Sequence, residues 1–270
     1  MIEFKKFDSG LEYIKISNAF ATAKISLKGA TLFSYKKVGE DELFWVSEAN
    51  DFDNNSPIRG GVPICWPWFG STSLPPHGFA RDSRWEFVSY DEPNGVVVFK
   101  LDEPWEYRYS LVFSLKIGKT LSMKLSTTNL DTREFSLSQA LHSYFNISDI
   151  SSVKVSMLDG KSYLDALDFK QKNQNGDIVI DKEIDRVYSD VDGAILVDKH
   201  RAIHIKNSGS KSIVVWNPWV EKTKRLRNML KDDYKKMLCI ESANAFSDAR
   251  VLKPNETHTL ATTISLISES

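Results

Sequence analysis

Residues 109–127, YSLVFSLKIGKTLSMKLST, alternate between apolar and polar side chains on both sides of a glycine-containing turn. The odd-numbered positions are mostly apolar and the even-numbered positions are mostly polar. Alternation with a period of two places the apolar side chains on one face of an extended chain, where they can be buried against a core. The stretch therefore predicts two half-buried β-strands, Tyr109–Ile117 and Leu121–Thr127.

The same pattern recurs along the chain at a spacing of about ten residues. It predicts further strands at Leu11–Ile16, Phe20–Leu27, Thr31–Lys37, Val96–Asp102, Glu134–Asn146, Ser152–Leu158, Ala194–Val197, Ala202–Lys206, Ser212–Trp216, Met237–Ala243 and Thr259–Leu266. Only Lys222–Lys236 is a candidate helix, and it is basic and lacks a regular apolar stripe, so a helix and a loop both stay open there. Many strands without intervening helices are typical of an antiparallel sandwich or barrel. No linker-like segment divides the chain, so we predict an all-β fold, a large antiparallel β-sandwich forming one domain over residues 1–270.

Composition and charge exclude several classes of protein. The 270 residues carry 35 Lys and Arg against 36 Asp and Glu, a net charge of −1, so no overall field attracts nucleic acid or an anionic membrane. Two cysteines are too few for a secreted disulfide framework. The first ten residues lack the apolar segment of a signal peptide, and no stretch approaches the roughly 18 apolar residues of a membrane span. We expect a cytoplasmic monomer that binds neither nucleic acid nor membranes.

Two long loops interrupt the alternation and contain unusual residues. Ser47–Ile58 is polar and leads into RGGVPICWPWFG at 59–70, and LPPHGFARDSRW follows at 74–85. Long loops in compact domains are usually functional. Arg59 and Arg81 present planar donors that suit a phosphate or a carboxylate ligand. The alternative is that they pair with nearby acidic residues, for which Asp51, Asp53 and Asp82 are the candidates.

His142 and Glu241 are the candidates for acid–base chemistry. In Glu134–Asn146 the even-numbered positions carry small side chains that end in His142, which leaves open volume in front of the imidazole. Glu241 shares a strand face with Cys239 and Ala243, where loss of water would raise the pKa of its carboxyl group toward that of a general base. The ordinary alternatives are a solvent-facing histidine near a strand end and a glutamate paired with an arginine.

The sequence gives little indication of a metal-binding or nucleotide-binding site. It contains no CxxC, HExxH, GxGxxG or GxxxxGK[ST] motif. His200 and His204 lie four residues apart on a predicted strand, about 13 Å at about 3.3 Å per residue, which is too far to share an ion. Asp185, followed by Arg186, could be half of a local ion pair. The tryptophans at 66, 68, 216 and 219 suit a core or the wall of a cleft.

Six segments together resemble the aldose 1-epimerase (mutarotase) superfamily, in its hexose-6-phosphate branch of glucose-6-phosphate 1-epimerases. They are RGGVPICWPWFG at 59–70, PPHGFARDSRW at 75–85, LHSYFNI at 141–147, EIDRVY at 183–188, VVWNPW at 214–219 and CIESANA at 239–245. They occur in the family's order over nearly the whole chain. LHSYFN is typical of the superfamily, whereas the first two segments point to the sugar-phosphate branch. The chain departs from the pattern at Pro76, before the histidine of HGFAR.

The resemblance implies a galactose-mutarotase-like sandwich that interconverts the α and β anomers of a hexose 6-phosphate without a metal or a cofactor. It implies that His142 is the general acid and Glu241 the general base. It further implies substrate contacts by four residues, which are Arg59, His77, Arg81 and Asp185. Two alternatives stay open: a mutarotase of a free aldose, and a non-catalytic module that binds carbohydrates or sugar phosphates.

Overall fold

The structure, a computed structural model, describes residues 1–199 and 201–268, so His200 lies outside the described residues. Its regular secondary structure is almost entirely antiparallel β-strand, as the alternating pattern predicts. The strands are β1 (Ile2–Lys6), β2 (Glu12–Ser17), β3 (Ala21–Ser26), β4 (Leu32–Lys37), β5 (Ile64–Cys65), β6 (Glu86–Asp91), β7 (Val96–Leu101), β8 (Tyr109–Ile117), β9 (Leu121–Asn129), β10 (Phe135–Leu137), β11 (Gln139–Leu141), β12 (Tyr144–Asn146), β13 (Lys154–Ser156), β14 (Ser162–Asp165), β15 (Lys170–Asn173), β16 (Ile178–Val179), β17 (Ile184–Ser189), β18 (Gly193–Asp198), β19 (Arg201–Ser208), β20 (Ser212–Asn217), β21 (Met237–Asn244), β22 (Arg250–Leu252) and β23 (Thr257–Ser268).

Two large sheets form the sandwich. One has nine strands in the order β16-β13-β18-β19-β23-β9-β8-β7-β6, and the other has eight, β15-β14-β17-β20-β21-β11-β5 with β12 also paired to β21. Buried residues of both sheets, such as Phe113 and Leu260 of the first and Ile213 and Ile240 of the second, belong to one apolar cluster. The predicted all-β sandwich is therefore confirmed.

Two smaller sheets complete the fold. Strands β1 to β4 form a four-stranded sheet in chain order, and β10 pairs with β22. Side chains on β2 and β3, including Ile14, Ile16 and Ile25, join the same apolar cluster as the large sheets.

One segment that the sequence left open between a helix and a loop is mostly irregular, and one predicted strand is broken. The helix candidate Lys222–Lys236 overlaps only the end of α1 (Trp219–Thr223), and turns with a short 3₁₀ helix at Asp233–Lys235 follow. The absence of an apolar stripe explains this, because such a stripe is what holds an amphipathic helix on a core.

The predicted strand Glu134–Asn146 is broken into β10, β11 and β12. At Ser138 the backbone N–H donates to the Pro67 carbonyl and the hydroxyl accepts from the Phe69 N–H, so the loop after β5 interrupts the ladder. A second break at His142 and Ser143 separates β11 from β12.

Candidate active site

His142 and Glu241 face each other on the eight-stranded sheet. In the antiparallel register Leu141 pairs with Ser242 and Tyr144 with Cys239, so the same register sets His142 opposite Glu241. Directly opposed residues on antiparallel strands present their side chains on the same face, about 5 Å apart at Cβ. The His142 Nε2 and Glu241 Oε1 atoms lie 3.3 Å apart.

Small side chains surround this pair, as the sequence pattern indicates. Cys65, Ala140 and Ala243 form an apolar cluster on the same face of the sheet. Leu141 and Ile240, which alternate with them, face the main core instead. The pair is nonetheless deeply placed, since His142 is 8% and Glu241 2% exposed.

Burial pushes the two groups toward their neutral forms. Loss of water raises the pKa of Glu241 well above its ordinary value, and the nearby Asp185 carboxylate adds to the effect. Loss of water also lowers the pKa of His142 well below its ordinary value, and His77, Arg81 and Arg59 lower it further. In the substrate-free site, burial therefore favours a protonated carboxyl group on Glu241 and a neutral imidazole on His142.

His77 lies beside His142, with 5.7 Å between the ring centroids. Its Nδ1 accepts from the Gly70 N–H at 3.3 Å and lies 3.4 Å from the Cys65 Sγ. Burial, with Arg81 and Arg59, lowers its pKa to about 4, so it is neutral at pH 7. With Nδ1 accepting, the proton of the neutral ring is on Nε2.

The two loop arginines flank the histidines. Arg59 donates from Nη1 to the Tyr144 hydroxyl at 3.2 Å, and the Tyr144 ring stacks on the His142 ring at 4.7 Å. Arg81 donates from Nη2 to the Pro76 carbonyl at 2.6 Å. Its Nε lies 4.0 Å from the Asp82 carboxylate, at the limit of an ion pair. Pro76 thus contributes its backbone oxygen, which any residue at that position would also offer.

A cavity of about 80 Å³ is lined by His142 and by both of these arginines. Its lining includes Arg59, Arg81, Tyr144 and a further arginine, Arg227. The cavity therefore has cationic walls.

Asp185 lies on the opposite side of the pair. On β17 it pairs with Trp216 of β20, which in turn pairs with Cys239 of β21. Two strand spacings of about 4.8 Å separate β17 from β21. Burial raises the pKa of Asp185 to about 6, while Lys222 opposes the rise.

Tyr144 and Lys222 were not assigned a role from the sequence, whereas Trp216 was expected in a core or in the wall of a cleft. Trp216 contacts the rings of His142 and Tyr144 edge-on and forms a wall of the site. Lys222 packs over Trp216 and forms an ion pair with Glu183 at 3.0 Å. Alternation was a usable signal for Tyr144, because it lies two residues after His142. The other tryptophans singled out differ in placement, since Trp66 is fully buried and Trp68 and Trp219 are partly exposed.

Unpaired polar atoms concentrate at this site. Of nine buried side-chain nitrogen and oxygen atoms without a hydrogen-bond partner among the described residues, four are His142 Nδ1, Glu241 Oε2, Arg59 Nε and Arg81 Nε. Each such atom costs about 1–3 kcal/mol of desolvation when left unpaired. A ligand rich in hydroxyl groups and negative charge would satisfy them.

Within residues 1–199 and 201–268 no cluster of three or more His, Cys, Asp or Glu side chains could hold a metal ion. No helix in these ranges is long and apolar enough to cross a membrane.

Comparison with known proteins relates this chain to a family. The sequence model of the family described as aldose 1-epimerase matches residues 12–265. A protein of Escherichia coli (strain K12) named "Putative glucose-6-phosphate 1-epimerase" is 34% identical over 270 residues, covering 94% of this chain and 90% of that protein. A protein of the same name from Cenchrus ciliaris is 34% identical and covers 94% of this chain and 84% of its own.

Solved structures agree in fold. The crystal structure of a protein from Salmonella typhimurium, titled a "putative mutarotase", superimposes with a TM-score of 0.91 at 32% identity, covering 99% of this chain and 94% of that one. A galactose mutarotase-like protein from Clostridium acetobutylicum gives a TM-score of 0.79 at 18% identity, over 100% of this chain and 99% of that one, and shares the fold.

The architecture is that of the galactose-mutarotase-like β-sandwiches. The chain belongs to the aldose 1-epimerase family, and it is an isomerase that interconverts sugar anomers.

Proposed function

We propose that this isomerase interconverts the α and β anomers of a hexose 6-phosphate, with glucose 6-phosphate as the preferred substrate. The observation that carries the proposal is a cavity lined by arginines and by His142. The names of the relatives from Escherichia coli and Cenchrus ciliaris agree with this substrate class.

Glu241 and His142 share the proton transfers. Glu241 takes the proton of the hydroxyl group at C1, while His142 donates a proton to the ring oxygen. The C1–ring oxygen bond breaks, C1 becomes an aldehyde carbon, and the former ring oxygen becomes a hydroxyl group. Rotation about C1–C2 presents the other face of the carbonyl, and closure with the proton transfers reversed gives the other anomer. Each positioned transfer is worth about 10²–10⁴-fold in rate.

The ionisation of the pair supports these roles. The reacting state needs an ionised Glu241 and a protonated His142, which together carry the same single proton as the neutral pair. Moving that proton across the 3.3 Å contact between Oε1 and Nε2 converts one state into the other. Bound hydroxyl groups favour the ionised state, because charged partners form stronger hydrogen bonds than neutral ones.

The connectivity of a hexose 6-phosphate matches the polarity of the site. The phosphorus is separated from the ring oxygen by only C5, C6 and O6, so the phosphate lies on the ring-oxygen side of C1. With the ring oxygen at His142, the phosphate reaches the cavity that Arg59 and Arg81 line. The hydroxyl groups at C2 and C3 project the other way, toward Asp185. His77, which is neutral with its proton on Nε2, donates a hydrogen bond to the sugar.

The test compares glucose 6-phosphate with glucose. Two charge-assisted arginine contacts predict that kcat/KM for the phosphorylated sugar exceeds that for glucose by on the order of 10²-fold. Replacing Arg59 or Arg81 with Ala should reduce the ratio. Equal values of kcat/KM for both sugars on the unmodified enzyme would overturn the phosphate assignment and favour a mutarotase of free aldoses.

A further inference from the structure

Arg227 lines the same cavity as Arg59 and Arg81, but it comes from a different part of the chain. It lies in the irregular segment between α1 and β21, where the sequence shows a run of basic residues. The family motifs in this sequence do not include it.

The residues on both sides of Arg227 are anchored to the site. Leu226 and Met229 pack on the apolar cluster that contains Tyr144 and Trp216. Asn228 donates from Nδ2 to the Ser56 hydroxyl at 3.4 Å. The backbone that carries Arg227 is therefore held against the cavity wall.

The side chain of Arg227, in contrast, is exposed and makes no hydrogen bond or ion pair with the described residues. Its basic neighbours are paired: Lys224 forms an ion pair with Glu221 at 2.6 Å, and Arg225 donates from Nε to the Glu221 carbonyl at 3.2 Å. Arg227 is thus an unpaired cation at the open side of a cavity that already contains two arginines.

Arg59 and Arg81 have structural partners and lower the pKa of His142, so they also act on the catalytic pair. Arg227 is not among the charges that act on the pKa of His142 or of Glu241. A phosphate in the cavity would therefore give Arg227 its only partner without placing it at C1.

We infer that Arg227 is a specificity-determining residue that binds the phosphate of the substrate and favours the phosphorylated over the free sugar. This inference rests on the proposed function. Arginine is suited to the role because its planar donors match two phosphate oxygens at once.

The experiment measures kcat and KM for glucose 6-phosphate and for glucose on the unmodified enzyme and on Arg227→Ala, Arg227→Lys and Arg225→Ala. For Arg227→Ala we expect kcat/KM for glucose 6-phosphate to fall about tenfold, chiefly through KM, because an exposed charged contact is weakened by solvent. The loss for glucose should be much smaller. Arg227→Lys should regain part of the preference, and Arg225→Ala, the matched control with an equally exposed arginine, should retain it.

The outcomes separate the inference from the proposed function. Equal activity of the unmodified enzyme on both sugars would overturn the substrate assignment and the inference with it. A clear preference that survives in Arg227→Ala would overturn the inference alone. Equal losses for both sugars in Arg227→Ala would also overturn it, since Arg227 would then act on the sugar or on the fold.

Discussion

His142 and Glu241 are opposed across a strand pair, and the proposed mechanism assigns one proton transfer to each of them. We expect His142→Ala and Glu241→Gln each to lower kcat by about 10²-fold or more, as loss of a general acid or base does. His204→Ala is a suitable control, because His204 lies on β19 in the other large sheet. Anomerisation rates, with circular dichroism to confirm folding, check this. A folded variant of near-normal rate would remove that residue from the mechanism.

Asp185 shows the cost of keeping a carboxylate in the site. Burial raises the pKa of Asp185 from 3.8 to about 6. The protonated carboxyl group therefore contributes its full stability to the fold below about pH 4, and this contribution is lost as the pH rises through about 6. At pH 8 the ionised group therefore destabilises the fold by on the order of 2–3 kcal/mol. We expect Asp185→Asn to have a higher Tm than the unmodified enzyme at pH 8 and about the same Tm near pH 4. The substitution should also raise KM several-fold.

The exposed Asp181 offers a control for this experiment. Asp181→Asn should leave the Tm unchanged at both pH values, because its carboxylate keeps its water. A Tm difference between Asp185→Asn and the unmodified enzyme that does not vary with pH would contradict the desolvation of Asp185.

At the scale of elements, strands with strong alternation were predictable and those decided by distant partners were not. The predicted strand Tyr109–Ile117 matches β8, because apolar residues at every second position show which face of the strand is buried. Strand β17, which carries Asp185, was missed, since the run IDRVYS has no regular alternation and is stabilised by pairing with β14 and β20. The small residues around His142 and Glu241 indicated both positions from the sequence. Their contact could not be predicted in this way, because it depends on the register between two strands that are distant in sequence.

The loop that carries His77 and Arg81 depends on a close approach of backbone to backbone at Gly78. A Cβ atom there would lie 1.9 Å from the Trp66 carbonyl oxygen, at a φ of +74°. Gly70 in the same loop region has a φ of +75° but no atom within 4 Å of such a Cβ. We expect Gly70→Ala to lower the free energy of unfolding by about 1 kcal/mol, the cost of the left-handed backbone alone.

Gly78→Ala should cost clearly more, above about 2 kcal/mol, because the backbone of the loop must also move. Its anomerisation rate should fall as well, since His77 is the adjacent residue. Urea unfolding of both variants measures the difference. Equal losses would show that the approach of Gly78 to Trp66 does not constrain the loop.

At the scale of the whole molecule, positive and negative side chains are separated on opposite sides of the site. The arginines lie on the His142 side and Asp185 lies on the Glu241 side, although the chain as a whole carries a net charge of only −1. Composition therefore gives only the near-zero net charge of the chain and could not reveal this local separation. It arises because loops from residues 59–85 meet one edge of the sheet while β17 lies two strands away on the other side of β21.

The shared core predicts how the molecule unfolds. Side chains of the four-stranded N-terminal sheet and of both large sheets belong to one apolar cluster, so no set of strands can separate without exposing buried surface of the others. We therefore expect urea unfolding to follow a single transition, with coincident midpoints by tryptophan fluorescence and far-ultraviolet circular dichroism. The aromatic probes Trp66 and Trp85 are buried in this cluster. Two resolved transitions, with β1 to β4 melting first, would show that the N-terminal sheet is an independent unit. Glucose 6-phosphate, the proposed substrate, should move the whole transition to higher urea, because the site proposed to bind it exists only where the strands are assembled.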